Sequence, residues 1–204
     1  MPSEIPSPEE MVAKYGHTLE QAKEIHAAFT AEKGRVRPLN LRTFLLAQKY
    51  FDSAKVLEAH IPKAANANVA PGLILCMSLA LELFFKTLVI LDRDDLVLLE
   101  QMSKQERKNY LIHEIPALYD VIPDAHKDKL STIYSARMGV PRLSHLRFRT
   151  ELVEKANDIF LEWRYVHETQ GGSPKHLNLG VIENLIVAAQ LVTIESKKPA
   201  SNTE

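Results

Sequence analysis

Two residues whose side chains could act on a phosphodiester lie close together in the segment Phe160–Glu168, namely Arg164 and His167. On a helix, Arg164, His167 and Glu168 stand at i, i+3 and i+4, so they share one face. An arginine neutralises phosphate charge, and a histidine moves protons near neutral pH. The functional interpretation places both on a cleft. The structural alternative makes this a core helix end in which Glu168 or Glu82 holds Arg164.

A second candidate is the run from Ala136 to Thr150, which is rich in basic residues and contains no acid. Its basic residues are Arg137, Arg142, His145, Arg147 and Arg149. Guanidinium groups bind phosphate oxygens in pairs, and Phe148 could offer a stacking surface for a base. This composition predicts a nucleic-acid-binding segment. The alternative is a solvated loop whose arginines pair with carboxylates elsewhere.

The third candidate is a polar stripe on the apolar stretch Leu73–Leu91. The polar side chains of this stretch are Ser78, Glu82, Lys86 and Thr87. The first three are spaced by four residues, so they form one narrow stripe on a helix that is otherwise apolar. Such a helix is typically buried at the centre of a domain. An unpaired carboxylate in a core costs several kcal/mol. Glu82 therefore needs a partner, either Lys86 one turn on or Arg164 on another helix.

Helical elements must position all three candidates. Apolar residues recur every three to four positions, which predicts long helices at 41–60, 73–91, 149–168 and 179–195, with shorter helices between 96 and 137. No run alternates with period two long enough to predict a strand. We expect an all-α protein with three parts: an extension with a helical hairpin (1–38), a helical bundle (39–196) and a flexible tail (197–204).

Composition excludes several classes of protein. The 204-residue chain has a formal net charge of −1, so it lacks a global basic field. Its seven glycines form no phosphate-cradling loop, and one cysteine, Cys76, excludes a disulfide framework or a CxxC zinc site. We expect no metal or cofactor. Glu82 and Lys86 near the middle of 73–91 argue against a membrane span. A reducing, cytoplasmic location fits.

The order of the segments YFDSA, LALELFFKTL, HEIPALY and FLEWRYVHE resembles the HEPN superfamily of helical-bundle proteins, common in prokaryotic defence and toxin–antitoxin systems. The family motif ELxLKxL is matched by Glu82, Leu83, Phe85, Lys86 and Leu88. The motif GHDLxxLY is matched by His113, Ile115, Leu118 and Tyr119, with Glu114 at the acidic position. The RY pair is matched by Arg164 and Tyr165. The resemblance covers about residues 40–195. It implies a HEPN-like bundle of four long helices that forms a homodimer with a cleft between the two copies.

Ribonuclease members of that family cut RNA without a metal, using an arginine and a histidine spaced as R-x4-6-H. Here His167 follows Arg164 as R-x2-H, and residues 169–171, where the family histidine should fall, are Thr, Gln and Gly. The resemblance therefore implies an RNA-binding or accessory module without catalysis. Two alternatives remain open. One is a metal-independent ribonuclease that uses Arg164 and His167, with Glu82 orienting the arginine. The other is a module that binds a partner protein and no RNA.

Overall fold

The computed structural model describes residues 37–60, 70–158 and 179–197, together with the helical residues Glu9 and Lys23. The chain divides into two compact units, Met1–Arg37 and Pro38–Glu204, and the second carries every described helix named below. In the described ranges the backbone is helical and contains no strand, which confirms the all-α prediction. The predicted hairpin of the first unit lies outside the described residues, apart from Glu9 and Lys23.

The described part of the second unit contains seven α-helices. They are α1 (Leu39–His60), α2 (Ala70–Val89), α3 (Lys104–Tyr110), α4 (Ile115–Val121), α5 (Asp124–Met138), α6 (His145–Phe148) and α7 (Leu179–Lys197). A 3-10 turn, Leu99–Gln101, precedes α3. After α6 the chain forms a π-helical segment, Arg149–Val153, and helix continues over 154–158. The helix predicted to begin at Arg149 thus has an additional turn before it, starting at His145.

Helix α2 is the centre of this unit and packs against both α1 and α7. Its large apolar side chains Met77, Phe84 and Leu88 are fully buried. On α1, Ala47 and Ala54 are also fully buried, and their small side chains let the two helices approach closely. Full burial of each large apolar side chain contributes about 1.5–3 kcal/mol. The prediction that this stretch forms a buried central helix is confirmed.

A cluster of aromatic rings joins α4, α5 and α6. The ring of Tyr119 stacks on Phe148 with centroids 5.6 Å apart, and Phe148 meets Tyr134 edge-on at 5.5 Å. Phe85 of α2 lies 6.2 Å from Tyr119 and connects the cluster to the central helix. These contacts fix α4, α5 and the end of α6 relative to one another, and α6 carries the predicted site residues His145 and Arg147.

The loop between α5 and α6 is held by hydrogen bonds from α5. Gly139 ends α5 in the left-handed region, with φ of 63°. Ser131 Oγ then donates to the Leu143 carbonyl at 2.8 Å, and the Ser144 hydroxyl accepts from the Arg147 backbone N–H to cap α6. The run from Ala136 to Thr150, which we call the basic segment, therefore contains an anchored turn between α5 and α6.

Two described helices are long and apolar enough to cross a membrane by length and composition alone. They are Pro71–Val89, of which 67% is buried inside the protein, and Leu179–Ser196, of which 39% is buried. Core helices of soluble proteins and signal sequences meet the same criterion, so this observation is weak evidence for a membrane span.

Candidate functional site

Glu82 and Lys86 form a buried ion pair on α2. Lys86 Nζ lies 2.7 Å from Glu82 Oε1, and the two residues are only 6% and 9% exposed. The helix itself creates this pair, because residues four apart are neighbours on one face. The simpler of the two predictions for the stripe, an ion pair within the helix, is confirmed.

His113 adds a second donor to the same carboxylate oxygen. It lies just before α4, and its Nδ1 is 3.0 Å from Glu82 Oε1. A carboxylate only accepts hydrogen bonds, so Nδ1 carries the hydrogen and donates it. The His113 side chain is 77% exposed, and its Nε2 makes no hydrogen bond to any residue that the structure describes. We call Glu82, Lys86 and His113 the carboxylate cluster.

Neighbouring groups complete the surroundings of the carboxylate cluster. Lys86 Nζ lies 5.6 Å from the centre of the Tyr110 ring, within range of a cation–π contact. The Tyr110 hydroxyl is in turn 2.8 Å from Thr43 Oγ1. Ser78, one turn before Glu82, has a buried hydroxyl without a hydrogen-bond partner among the described residues. Glu82 Oε2 likewise has no partner within the described ranges.

The sequence did not single out His113 as a site residue. Its only signal was membership of the segment HEIPALY, and nothing in that segment indicates contact with a glutamate 31 residues earlier. The predicted catalytic pair, Arg164 and His167, lies outside the described residues. The predicted Glu82–Arg164 contact and the predicted catalytic roles therefore stay predictions.

In the basic segment, Arg142 and His145 share one carboxylate from α5. Arg142 forms an ion pair with Asp128 Oδ1, and His145 Nε2 lies 2.9 Å from the same oxygen. The hydrogen bond with His145, assisted by the nearby Arg142, holds the pKa of Asp128 below its usual value. A surface groove of about 250 Å³ adjoins this pair, lined by Asp128, Lys129, Thr132, Ile133, Arg142 and Glu195.

Two further arginines are held by carboxylates in bidentate geometry. Arg147 Nε lies 2.7 Å from Glu151 Oε1, one turn on, and this contact raises the pKa of Arg147 and lowers that of Glu151. Arg149 reaches Asp120 at the end of α4 through two contacts, 2.7 and 3.0 Å long, and also pairs with Glu154. The hydrogen bonding that Arg149 donates to Asp120 is the largest cause of the raised pKa of Arg149.

The basic segment lacks acids in sequence but not in space. Carboxylates from α5, from the end of α4 and from residues 151–154 neutralise three of its arginines. Arg137 is the exception, with no partner among the described residues. This geometry agrees with the alternative prediction, in which the arginines pair with carboxylates from other parts of the chain. Phe148 is fully buried, so the expectation that it offers a stacking surface is wrong: Tyr119 and Tyr134 cover its ring.

A third histidine–carboxylate contact, between His126 and Asp92, has the opposite exposure from that of His113 and Glu82. His126, at the start of α5, is buried and its Nε2 lies 3.0 Å from Asp92, whose side chain is 74% exposed. The Nδ1 atom of His126 is buried without a partner among the described residues. The His126 imidazole is therefore not presented to solvent, and the contact joins α5 to the turn that follows α2.

Comparisons with protein-family models, with curated proteins and with solved structures give no match. Among the described residues, no group of three or more His, Cys, Asp or Glu side chains is arranged to hold a metal ion. Functional interpretation therefore depends on two features, the carboxylate cluster and the basic segment.

Proposed function

We propose that residues 39–196 form a HEPN-like helical module that binds single-stranded RNA and does not cut it. The observation that carries the proposal is the contact between Glu82 and His113. These residues come from two of the segments on which the family resemblance is based, and their side chains meet at 3.0 Å. If the two segments resembled the family motifs only because both are apolar, their polar residues Glu82 and His113 would have no reason to be in contact.

The basic segment supplies the phosphate contacts in this proposal. Its ion pairs are partly exposed, and water screens such pairs so that they stabilise the fold little. A phosphate can therefore replace a carboxylate at little cost. The bidentate geometry of Arg147 and Arg149 suits phosphate oxygens as well as carboxylates. Helix α4 connects the two features, because His113 lies just before its N-cap and Asp120, the partner of Arg149, lies in its last turn.

The mode of binding follows from the same residues. Phe148 is buried, so the basic segment offers phosphate contacts without that ring as a base-stacking surface. Such contacts position RNA but read little sequence. We expect modest, sequence-tolerant affinity that falls steeply with salt. A homodimer or a partner protein and a role in prokaryotic defence belong to the proposal as consequences of the family resemblance. A cytoplasmic location belongs to it because the single cysteine, Cys76, fits a reducing compartment.

An electrophoretic mobility shift assay with single-stranded RNA at low salt tests the proposal. The full chain should shift the RNA, and R142A/R147A/R149A should lose most of the binding. The matched control is R42A/K49A/R93A, which removes the same charge from the region of α1 and the end of α2 and should bind as the wild type does. Absence of a shift with the wild type, or equal loss with both triple variants, would contradict the proposal.

A further inference from the structure

The carboxylate cluster keeps one hydrogen-bonding position open to solvent. Glu82 fixes the His113 ring through Nδ1, while Nε2 makes no hydrogen bond to a described residue. A carboxylate that holds one imidazole nitrogen sets the orientation and the hydrogen position of the other. The ring is therefore presented in one orientation, with its Nε2 edge outward.

Stability alone does not explain this arrangement. A buried ion pair such as Glu82–Lys86 often contributes no more to stability than apolar residues of similar volume. His113 adds little burial, because its side chain is 77% exposed. What the pair does provide is a fixed, buried support for an exposed imidazole. This is the arrangement expected when the outer nitrogen has a ligand.

We propose that His113 Nε2 binds a phosphate oxygen of the RNA backbone, with Glu82 as the residue that orients the ring and Lys86 as the residue that holds Glu82. This inference rests on the proposed RNA binding, since the phosphate comes from the same ligand. Charge decides the protonation state that binds. Glu82 and Lys86 cancel, so a protonated His113 gives the cluster a net positive charge, and its Nε2–H donates to the phosphate.

Among the residues that the structure describes, no contact of the His113 ring adds a further positive charge beside that of Lys86. On α2, Glu82 and Lys86 face the ring, and on α3 Tyr110 lies against Lys86. Glu114, next along the chain, is an exposed acidic residue. Binding of a phosphate is therefore coupled to uptake of one proton by His113, and affinity rises as the pH falls.

Two measurements on the full chain test the inference. In the first, the imidazole nitrogens are followed by ¹⁵N NMR during titration with inorganic phosphate and then with single-stranded RNA. We expect the His113 Nε2 signal, assigned by its absence in H113Q, to move with both probes. The signal of His60, an exposed histidine held through Nδ1 by the Val56 carbonyl on α1, should stay in place.

In the second measurement, RNA affinity is followed between about pH 5 and 8, where histidines titrate. One linked proton changes affinity by up to about tenfold per pH unit. The slope for the wild type should exceed that for H113Q, while H60Q should match the wild type. E82Q/K86M removes the orienting carboxylate without leaving an unpaired lysine, and it should reduce both the slope and the phosphate-induced shift.

The outcomes separate the two proposals. RNA binding with unchanged His113 signals and equal slopes for wild type and H113Q would overturn the inference and leave the proposed function standing. A phosphate-induced shift of Nε2 without any RNA binding would support the phosphate site and overturn the proposed function. If the chain binds no RNA and phosphate leaves the His113 Nε2 signal in place, both proposals are overturned.

Discussion

A single oxygen atom, Glu82 Oε1, accepts hydrogen bonds from both the buried ammonium of Lys86 and the imidazole of His113. The first contact follows from the sequence, because residues four apart on a helix must be neighbours. The second does not, because it depends on where the chain returns after α3. The spacing of the stripe thus predicts the local pair, and only tertiary packing reveals the exposed histidine beside it.

The buried pair should behave as a unit in unfolding. We expect K86M to lower the free energy of unfolding by about 3–5 kcal/mol, because Glu82 would be left buried without its lysine. E82Q/K86M should be less destabilised than the sum of the two single variants. Urea denaturation measures all of them, and strictly additive effects would show that the two side chains do not interact.

Tyr119 contains a buried hydroxyl with no partner among the described residues, whereas the Tyr110 hydroxyl contacts Thr43. An unsatisfied buried group costs about 1–3 kcal/mol, and a typical hydrogen bond contributes about 0.5–1.5 kcal/mol. We therefore expect Y119F to raise the free energy of unfolding by about 1 kcal/mol and Y110F to lower it by a similar amount. A loss of stability in Y119F would show that its hydroxyl is satisfied.

The same tyrosine predicts a dependence on alkaline pH. Burial raises the pKa of Tyr119 from 10.0 to about 12, with nearby Asp120 assisting. The native state then keeps its proton where the unfolded state loses it. The contribution of Tyr119 is therefore complete below pH 10 and is lost as the pH rises to about 12. Y119F should lose less stability than the wild type across this interval, as measured by urea denaturation at each pH.

At the scale of elements, the α5–α6 connection depends on a backbone conformation that favours glycine. Gly139 has φ of +63°, so an alanine there is strained although its Cβ would meet no atom within 4 Å. We expect G139A to lower the free energy of unfolding by about 1–2 kcal/mol. G72A, inside α2, is the control: its Cβ would meet Leu57 at an ordinary 3.6 Å, so stability should stay equal or rise by up to about 1 kcal/mol. Equal effects of both substitutions in thermal or urea unfolding would contradict this account of the turn.

The π-helical segment could not be predicted from hydrophobic periodicity. Phe148 and Val153 are both fully buried, yet residues five apart on an α-helix point about 140° away from each other. The wider turn, with its i to i+5 hydrogen bonds, brings such residues onto one face. Apolar spacing of three and four predicts α-helix well, as in α1, α2 and α7. It gives no sign of a local change in helical pitch.

At the scale of the whole molecule, the sequence predicts the all-α class and the central helix, because both follow from local periodicity and total apolar content. The sequence does not predict which carboxylates pair with the arginines of the basic segment. The run 136–150 has no acid of its own, but Asp120 and Asp128 reach it from α4 and α5. RNA must therefore compete with carboxylates for these arginines, which makes salt dependence the most informative property of the proposed complex.

The most direct test of the RNA-binding proposal is the slope of log affinity against log salt concentration, measured by fluorescence anisotropy with single-stranded RNA. Three phosphate contacts from Arg142, Arg147 and Arg149 predict a slope of about −2, from about −0.7 per contact on a single strand. R142A/R147A/R149A should remove this part of the slope and leave only the contribution of His113, and R42A/K49A/R93A should leave the slope unchanged. No binding even at low salt, or the same slope in the wild type and R142A/R147A/R149A, would contradict the proposal that the basic segment binds RNA.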